Sequence, residues 1–527
     1  MQFISYSFVI LWMITFALYY LVPKRMQWYV LLAASLIFYG VGLGGFPLNL
    51  LLTGVTTYGC GIYIKKALEQ EKAALKQCVD REQRKTVKAA FQKRRKRVQI
   101  LYMAFNLGLL VFYKYAVIAV PVIETLTGRH AGFLEKVIMP LGISFYTLTA
   151  ISYVVDAGRE NCEAETDFLK VLLFLAYFPS VTQGPFNRFS RMKEQFEGEH
   201  GFSYDGMLRG IQRFVWGAFK KLVIADRLGI FVDRVYGVEA ASVSGSIYAC
   251  ATVLYMLQLY ADFSGYIDMA SGVSETFGII LPDNFRRPYF AKSVAEFWRR
   301  WHITLGAWFK DYVMFSFVMS GTGRRLGKAC KNKWNGYGRQ AVPIMGTMLV
   351  WFFTGIWHGR TVSYMLWGIY YGLIMSVSLV LEPFYESWKE RLPVKGKHGE
   401  RIWTFIRMAR TWLIVFLADV LIRSGSLAQA GAIYTSFVTR LHIGSLLSSE
   451  ITSYGLGRYD FLLLIPVLLI WLAVSAAEER GLDVRTVLAG RPAVIRWACY
   501  YGIVLMVLIT GIYGGSYDTA AFMYQSF

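Results

Sequence analysis

Residues 340–384 read QAVPIMGTMLVWFFTGIWHGRTVSYMLWGIYYGLIMSVSLVLEPF. Two apolar runs, 340–357 and 363–384, flank a turn that holds His358. As helices rising about 1.5 Å per residue, each is close to the length that crosses roughly 30 Å of hydrocarbon. The pair returns to a loop carrying Lys389, Arg391, Lys395 and Lys397. Basic loops favour the cytoplasmic side, so the turn with His358 points away from that side or stops inside the membrane.

Outward from this pair the pattern repeats. Similar stretches lie at 4–22, 27–43, 46–64, 98–120, 169–185, 244–262, 265–281, 403–422, 459–477 and 497–512, which predicts about a dozen transmembrane helices. Composition agrees: 55% of the 527 residues are hydrophobic and only 17% charged, too apolar for a soluble chain of this length. The partner this dictates is a lipid bilayer. The first span has no basic residue before it and no small-residue cleavage site after it, so it is expected to remain in the mature protein.

The net charge of +21 gathers in loops between spans rather than on one soluble face, so no nucleic-acid partner is expected. The insert at 65–97 contains Lys65-Lys66, Arg84-Lys85 and the run Lys93 to Arg97. Its helix-forming residues predict a solvated cytoplasmic helix. With Lys24-Arg25 and the last basic loop, Arg480 to Arg496, also cytoplasmic, both termini fall outside the cell. No repeat or linker divides the chain, so residues 1–527 read as a single membrane domain. Six scattered cysteines form neither a CxxC pair nor a metal-ligand spacing, and no metal is expected.

The stretch from Arg286 to Arg339 departs from simple spans. It mixes Phe297, Trp298, Trp301, Trp308 and Phe309 with Arg299, Arg300, Lys310 and Asp311, a combination that predicts an interfacial or re-entrant helix on the cytoplasmic side. Of six histidines, only His302 and His358 sit in aromatic, largely apolar sequence. An ionisable group at membrane depth is costly unless it is paired or lines a cavity, so these two are the candidates for chemistry; a neutral histidine hydrogen-bonded in a bundle is the competing reading. There is no GxxxxGK[ST] loop, HExxH helix or GxSxG elbow. An HxxxxD signature is missing as well, because Ala307 and Ser363 stand where the aspartate would be.

The run YADFSGYIDMASGVSETFGIILPDNFRRPYFAKSVAEFWRRWHITLGAWFKDYV, Tyr260 to Val313, resembles the signature stretch of the membrane-bound O-acyltransferases, in the alginate O-acetylase and D-alanyl teichoic-acid transfer branch. MPLGISFYTLTAISYVVD from Met139, FPSVTQGPFNRF from Phe178 and GIWHG from Gly355 extend the likeness over most of the chain. The resemblance implies an all-α polytopic fold, with helices and re-entrant segments around a central funnel. It also implies that His358 sits at a narrow point between a cytoplasmic acyl thioester and an extracytoplasmic acceptor, with His302 as its partner.

An alcohol must lose its proton as it attacks a thioester, and histidine is the usual base. His358 is the expected base, and Asn284, Arg299, Arg300, Trp301 and Trp357 are candidate donors for substrate or oxyanion. Each has a structural alternative; Arg300 can pair with Glu296 at i, i+4, and tryptophans commonly anchor interfaces. The chain ends Phe522-Met523-Tyr524-Gln525-Ser526-Phe527, an aromatic motif similar to one in the D-alanylation system, which implies Tyr524 as a transient acyl carrier; an interfacial anchor is the alternative.

No permanently bound cofactor is expected, only a thioester co-substrate, acetyl-CoA or an acyl-carrier protein. The other expected partners are an extracytoplasmic glycan and a secreted or membrane-anchored esterase-like transferase, and the expected location is the plasma membrane. Two departures from the family pattern, Ser320 to Arg325 and Tyr370-Tyr371-Gly372, bear on the donor. D-alanyl transfer to teichoic acid is the nearest enzymatic alternative; a transporter or flippase of a lipid-linked glycan is the alternative of another class.

Overall fold

The computed structural model describes residues 3–513 except 44–46, 128–131, 133, 135, 136, 138, 240, 241, 334–337 and 392–395. Tyr524 and the terminal aromatic motif therefore lie outside the described residues. The described residues are helical, with an isolated antiparallel bridge between Phe285 and Trp301 in place of any strand. They divide into two compact units, Met1–Ile211 with Ala270–Pro282, and Gln212–Met269 with Asp283–Phe527.

The first unit contains α1 (Tyr6–Leu21), α2 (Gln27–Leu43), α3 (Leu48–Gln77), α4 (Arg81–Thr127), α5 (Ile143–Gly158), α6 (Phe168–Ala176) and α7 (Phe189–Glu197). Here the structure corrects two sequence expectations. The basic insert at 65–97 is not a helix of its own; α3 and α4 simply continue past the apolar stretches and meet at residues 78–80. Their extension is fixed by a buried ion pair between Arg95 and Glu71 and, further along, by the Thr57 and Tyr102 hydroxyls at 2.7 Å.

The second correction concerns the predicted span at 169–185, which is helical only over the nine residues of α6. Pro179, Gly184 and Pro185 explain this, since proline disfavours helix at the residue before it and removes a backbone donor. The turn after α6 packs on the start of α5, where Gly142 has φ +70° and any Cβ would stand 2.2 Å from the Val181 carbonyl oxygen. Only glycine fits there.

The second unit begins at Gln212 within α8 (Tyr204–Ala218), followed by a π-helical segment (Phe219–Ala225) and α9 (Asp226–Gly237). Two predicted spans, 244–262 and 265–281, prove to be one helix of 31 residues, α10 (Gly245–Glu275). Nothing between them breaks a helix: Gly265 is accommodated because it crosses Gly217, whose Cβ would meet the Gly265 oxygen at 2.5 Å. The carboxylates of α10 are answered from α8 and the π-helical segment. Lys221 Nζ lies 2.8 Å from both Asp262 and Asp226, and Asp268 is held by Lys220 at 2.6 Å and Arg213 at 3.1 Å. Charges at membrane depth are tolerated in such pairs inside a bundle.

The predicted re-entrant stretch is a series of short helices, α11 (Val294–Arg300), α12 (Ile303–Phe309), α13 (Phe315–Val318) and α14 (Gly321–Cys330), with a π-helical segment Lys310–Met314. Ser293 caps α11 by accepting from Glu296 N at 3.1 Å, while Glu296 accepts from Lys292 N at 2.9 Å. After it come α15 (Ala341–His358), α16 (Val362–Arg391), α17 (Gly396–Arg423), α18 (Leu427–Thr439), α19 (Arg458–Glu479), α20 (Val484–Ala489) and α21 (Ala493–Thr510).

Among the described residues five helical stretches are long and apolar enough to cross a membrane: Arg81–Ile118, Gly338–His358, Val362–Glu382, Arg458–Glu479 and Ala493–Thr510. The merged α10 and the short α6 account for part of the difference from a dozen.

Candidate active site

The α15–α16 hairpin sets the position of His358. Gly355 and Gly368 let the two helices touch: a Cβ on Gly355 would stand 2.5 Å from the Tyr364 oxygen, and one on Gly368 would stand 2.4 Å from the Trp351 oxygen. Small residues at such crossings allow backbones to approach. His358 ends α15, 5% exposed, with Trp367 edge-on at 5.3 Å between ring centroids and Trp357 at 4.8 Å. Gly359, next in sequence, is covered by the Tyr364 ring, 1.8 Å from where a Cβ would sit. The Trp-His-Gly sequence thus turns the imidazole inward and leaves no room for a bulkier following residue.

His302 reaches the same place from the short-helix stretch. It occupies the position before α12 with φ 46° and ψ 51°, a left-handed backbone uncommon outside glycine. Residues 284–286 hold it there by pairing with 300–303, Arg286 N to Arg300 O at 2.9 Å and Ile303 N to Asn284 O at 3.0 Å. The imidazole is 3% exposed, edge-on to Phe263 at 4.7 Å and 6.3 Å from the Trp357 ring. Trp357 therefore touches both histidines.

Asn284 defines the state of His302. Its Oδ1 accepts from Thr304 N at 3.1 Å and Thr304 Oγ1 at 2.9 Å, and His302 Nδ1 lies 3.2 Å away. An oxygen already used as an acceptor requires the proton to sit on Nδ1, which leaves Nε2 as the basic nitrogen. Asn284 is 1% exposed, and its Nδ2 donor has no partner among the described residues. Such a donor is available to an oxyanion.

His302 lies outside the apolar spans. Burial, and then the neighbouring His358, hold its imidazole well below the ordinary histidine value of 6.5. It is therefore neutral near pH 7, and the sign of its linkage follows. Below the unfolded value the unfolded chain binds a proton that the folded chain refuses, so stability present above pH 6.5 is lost as pH falls. Thermal unfolding in detergent should show Tm dropping from pH 7.5 to 5, with a shallower drop in His302→Asn.

Other sequence candidates separate. Arg300 is engaged: Glu296 accepts at 2.7 Å, and Glu479 at 2.8 and 2.9 Å. Its guanidinium belongs to this ion-pair cluster rather than to the histidines. Arg299 is exposed and Trp301 is packed among Phe297, Phe285 and Tyr260, so neither is placed as an oxyanion donor. Trp357 and Asn284 are the candidates that stand beside the histidines. The structure adds Phe263 and Trp367, each edge-on to an imidazole, and an aromatic wall of Trp298, Trp351 and Tyr371 behind Trp367. The only sequence signal for these was aromatic content. Of the departures from the family pattern, Ser320 caps α14 through Gly323 N at 3.0 Å, leaving Arg324 and Arg325 exposed.

Residues 132–329 match the sequence profile of MBOAT, the membrane-bound O-acyltransferase family. The chain is 31% identical over 420 residues to a probable alginate O-acetylase of Pseudomonas syringae pv. tomato, covering 79% of this chain and 71% of that one. To the corresponding protein of Pseudomonas putida it is 30% identical over 483 residues, 88% of each chain. It is also similar to a peptidoglycan O-acetyltransferase of Helicobacter pylori, 33% over 305 residues, 53% of this chain and 54% of that one.

Proposed function

The chain belongs to the membrane-bound O-acyltransferase family and is an acyltransferase, and from that premise we propose that it carries an acetyl group from a cytoplasmic thioester to a hydroxyl of an extracytoplasmic polysaccharide. The observation that carries this reading is the convergence of two buried histidines on Trp357. In support of acetyl as the group moved, relatives matched over most of this chain are named as probable alginate O-acetylases.

In the proposed reaction His358 takes the proton of the acceptor hydroxyl as its oxygen attacks the thioester carbonyl. Charge develops on the carbonyl oxygen, where the Asn284 Nδ2 donor is suited to meet it. As the carbon–sulfur bond breaks, the proton on His358 passes to the departing thiolate. His302, neutral and oriented by Asn284, keeps a second positive charge away from the imidazolium that forms.

The donor in this reading is acetyl-CoA or an acyl-carrier protein. In this reading the helices cross the plasma membrane, with both termini extracytoplasmic. Tyr524 would act as the transient acyl carrier: its hydroxyl takes the acetyl group first and passes it to the glycan hydroxyl, with a secreted or membrane-anchored esterase-like transferase as partner.

Mass spectrometry of intact surface glycans tests the reading. Cells with the protein should carry an acetyl ester that cells without it lack. Glycans unchanged by its removal would defeat the proposal, and loss of an alanyl group instead would assign the D-alanyl alternative.

A further inference from the structure

The second unit holds a buried carboxyl that the chemistry above leaves unused. Asp419, near the end of α17, is 5% exposed. Among the described residues it has no hydrogen-bond donor and no ion-pair partner. Arg423, one turn further along, stands where an i, i+4 partner belongs. Its guanidinium turns instead to Asp233 and lies over the rings of Tyr236 at 5.3 Å and Tyr255 at 5.8 Å. Arg423 Nε is buried with no partner. A donor and an acceptor, both unsatisfied, thus lie on one turn of one helix.

Tyrosines surround this turn. Tyr370 donates to the Ile414 oxygen at 2.9 Å and Tyr434 to the Leu417 oxygen at 2.6 Å, both carbonyls of α17 just before Asp419. Asp419 is also within electrostatic reach of Tyr364 and Tyr371. Tyr364 covers Gly359, the residue after His358, and Tyr371 packs on Trp367, which contacts the His358 ring. The cluster therefore adjoins the proposed base.

A buried carboxyl without a partner costs folding free energy and returns nothing in packing. Unsatisfied polar groups flanked by aromatic faces match the needs of a sugar, which presents hydroxyl donors, oxygen acceptors and C–H faces. We propose that Asp419 and Arg423 form the acceptor subsite for a sugar residue of the glycan. Asp419 accepts a hydrogen bond from a hydroxyl next to the one acylated, Arg423 Nε donates to a sugar oxygen, and the tyrosine rings pack on its C–H faces. This subsite rests on the acyl-transfer reading above.

The test compares Asp419→Asn and His358→Gln with the natural full chain in cells, reading ester content of the cell's own surface glycan, with Tm of each purified protein in detergent. Loss of one hydrogen bond predicts an ester content about three- to tenfold lower for Asp419→Asn. Its Tm should hold, because asparagine keeps the size and polarity of the buried side chain. A lower Tm makes the carboxyl structural and overturns the subsite. Ester content within about twofold of the natural level, with His358→Gln inactive, overturns the subsite and leaves acyl transfer standing. Ester retained in His358→Gln overturns both.

Discussion

Replacing His358 with glutamine is expected to lower acyl transfer by about 10²–10⁴-fold, the usual contribution of a positioned base. Glutamine keeps the side chain polar and of similar length, so the packing of Trp357 and Trp367 against this position is largely retained. The loss should appear in kcat, because proton removal belongs to the transition state and not to binding. A variant that keeps kcat within about threefold while remaining folded would show that another group takes the proton.

Asn284→Asp has the second large effect and separates two roles. Aspartate retains an oxygen for His302 Nδ1 and Thr304 but loses the unpartnered Nδ2 donor. Removal of an oxyanion donor costs about 10²–10³ in kcat, and the added carboxylate favours a protonated His302. Asn284→Leu removes the acceptor as well. It should also destabilise the fold by about 1–3 kcal/mol for each buried donor left unpaired. If Asn284→Asp transfers acyl groups at nearly the natural rate while Asn284→Leu fails to fold, Asn284 is a positioning residue alone.

Local pattern made part of this structure legible. Apolar run length located the α15–α16 pair, and the charges of the turn after it placed His358 at a helix end, which is where α15 stops. Aromatic, apolar surroundings and the motif likeness singled out His302, and nearness in sequence offered Asn284, which the structure brings into hydrogen-bond range of it. Other features depended on distant residues. Hydropathy read α10 as two spans, 244–262 and 265–281, and gave no sign that Lys221 and Lys220 of the π-helical segment neutralise Asp262 and Asp268 within one helix. Counting apolar residues also overstated 169–185, where prolines end α6.

The site shows the same division. Arg299, Arg300 and Trp301 were candidates by nearness in sequence to His302, yet three consecutive side chains on a short helix point to solvent, to Glu479 and into an aromatic core. Glu479, 179 residues away, has no signal linking it to Arg300. Phe263, Trp367 and Asp419 were likewise ordinary span residues until packing placed them. Asp419 had one usable signal, a carboxyl inside an apolar stretch, the same argument applied to the histidines.

The most direct test of the central claim uses sealed membrane vesicles loaded with labelled acetyl-CoA on the cytoplasmic side, reading alkali-labile label on glycan at the opposite face. The natural chain should deliver label across the membrane, and His358→Gln should deliver about 10²-fold less or lower still. Equal transfer by both, or label confined to glycan on the donor side, would contradict it.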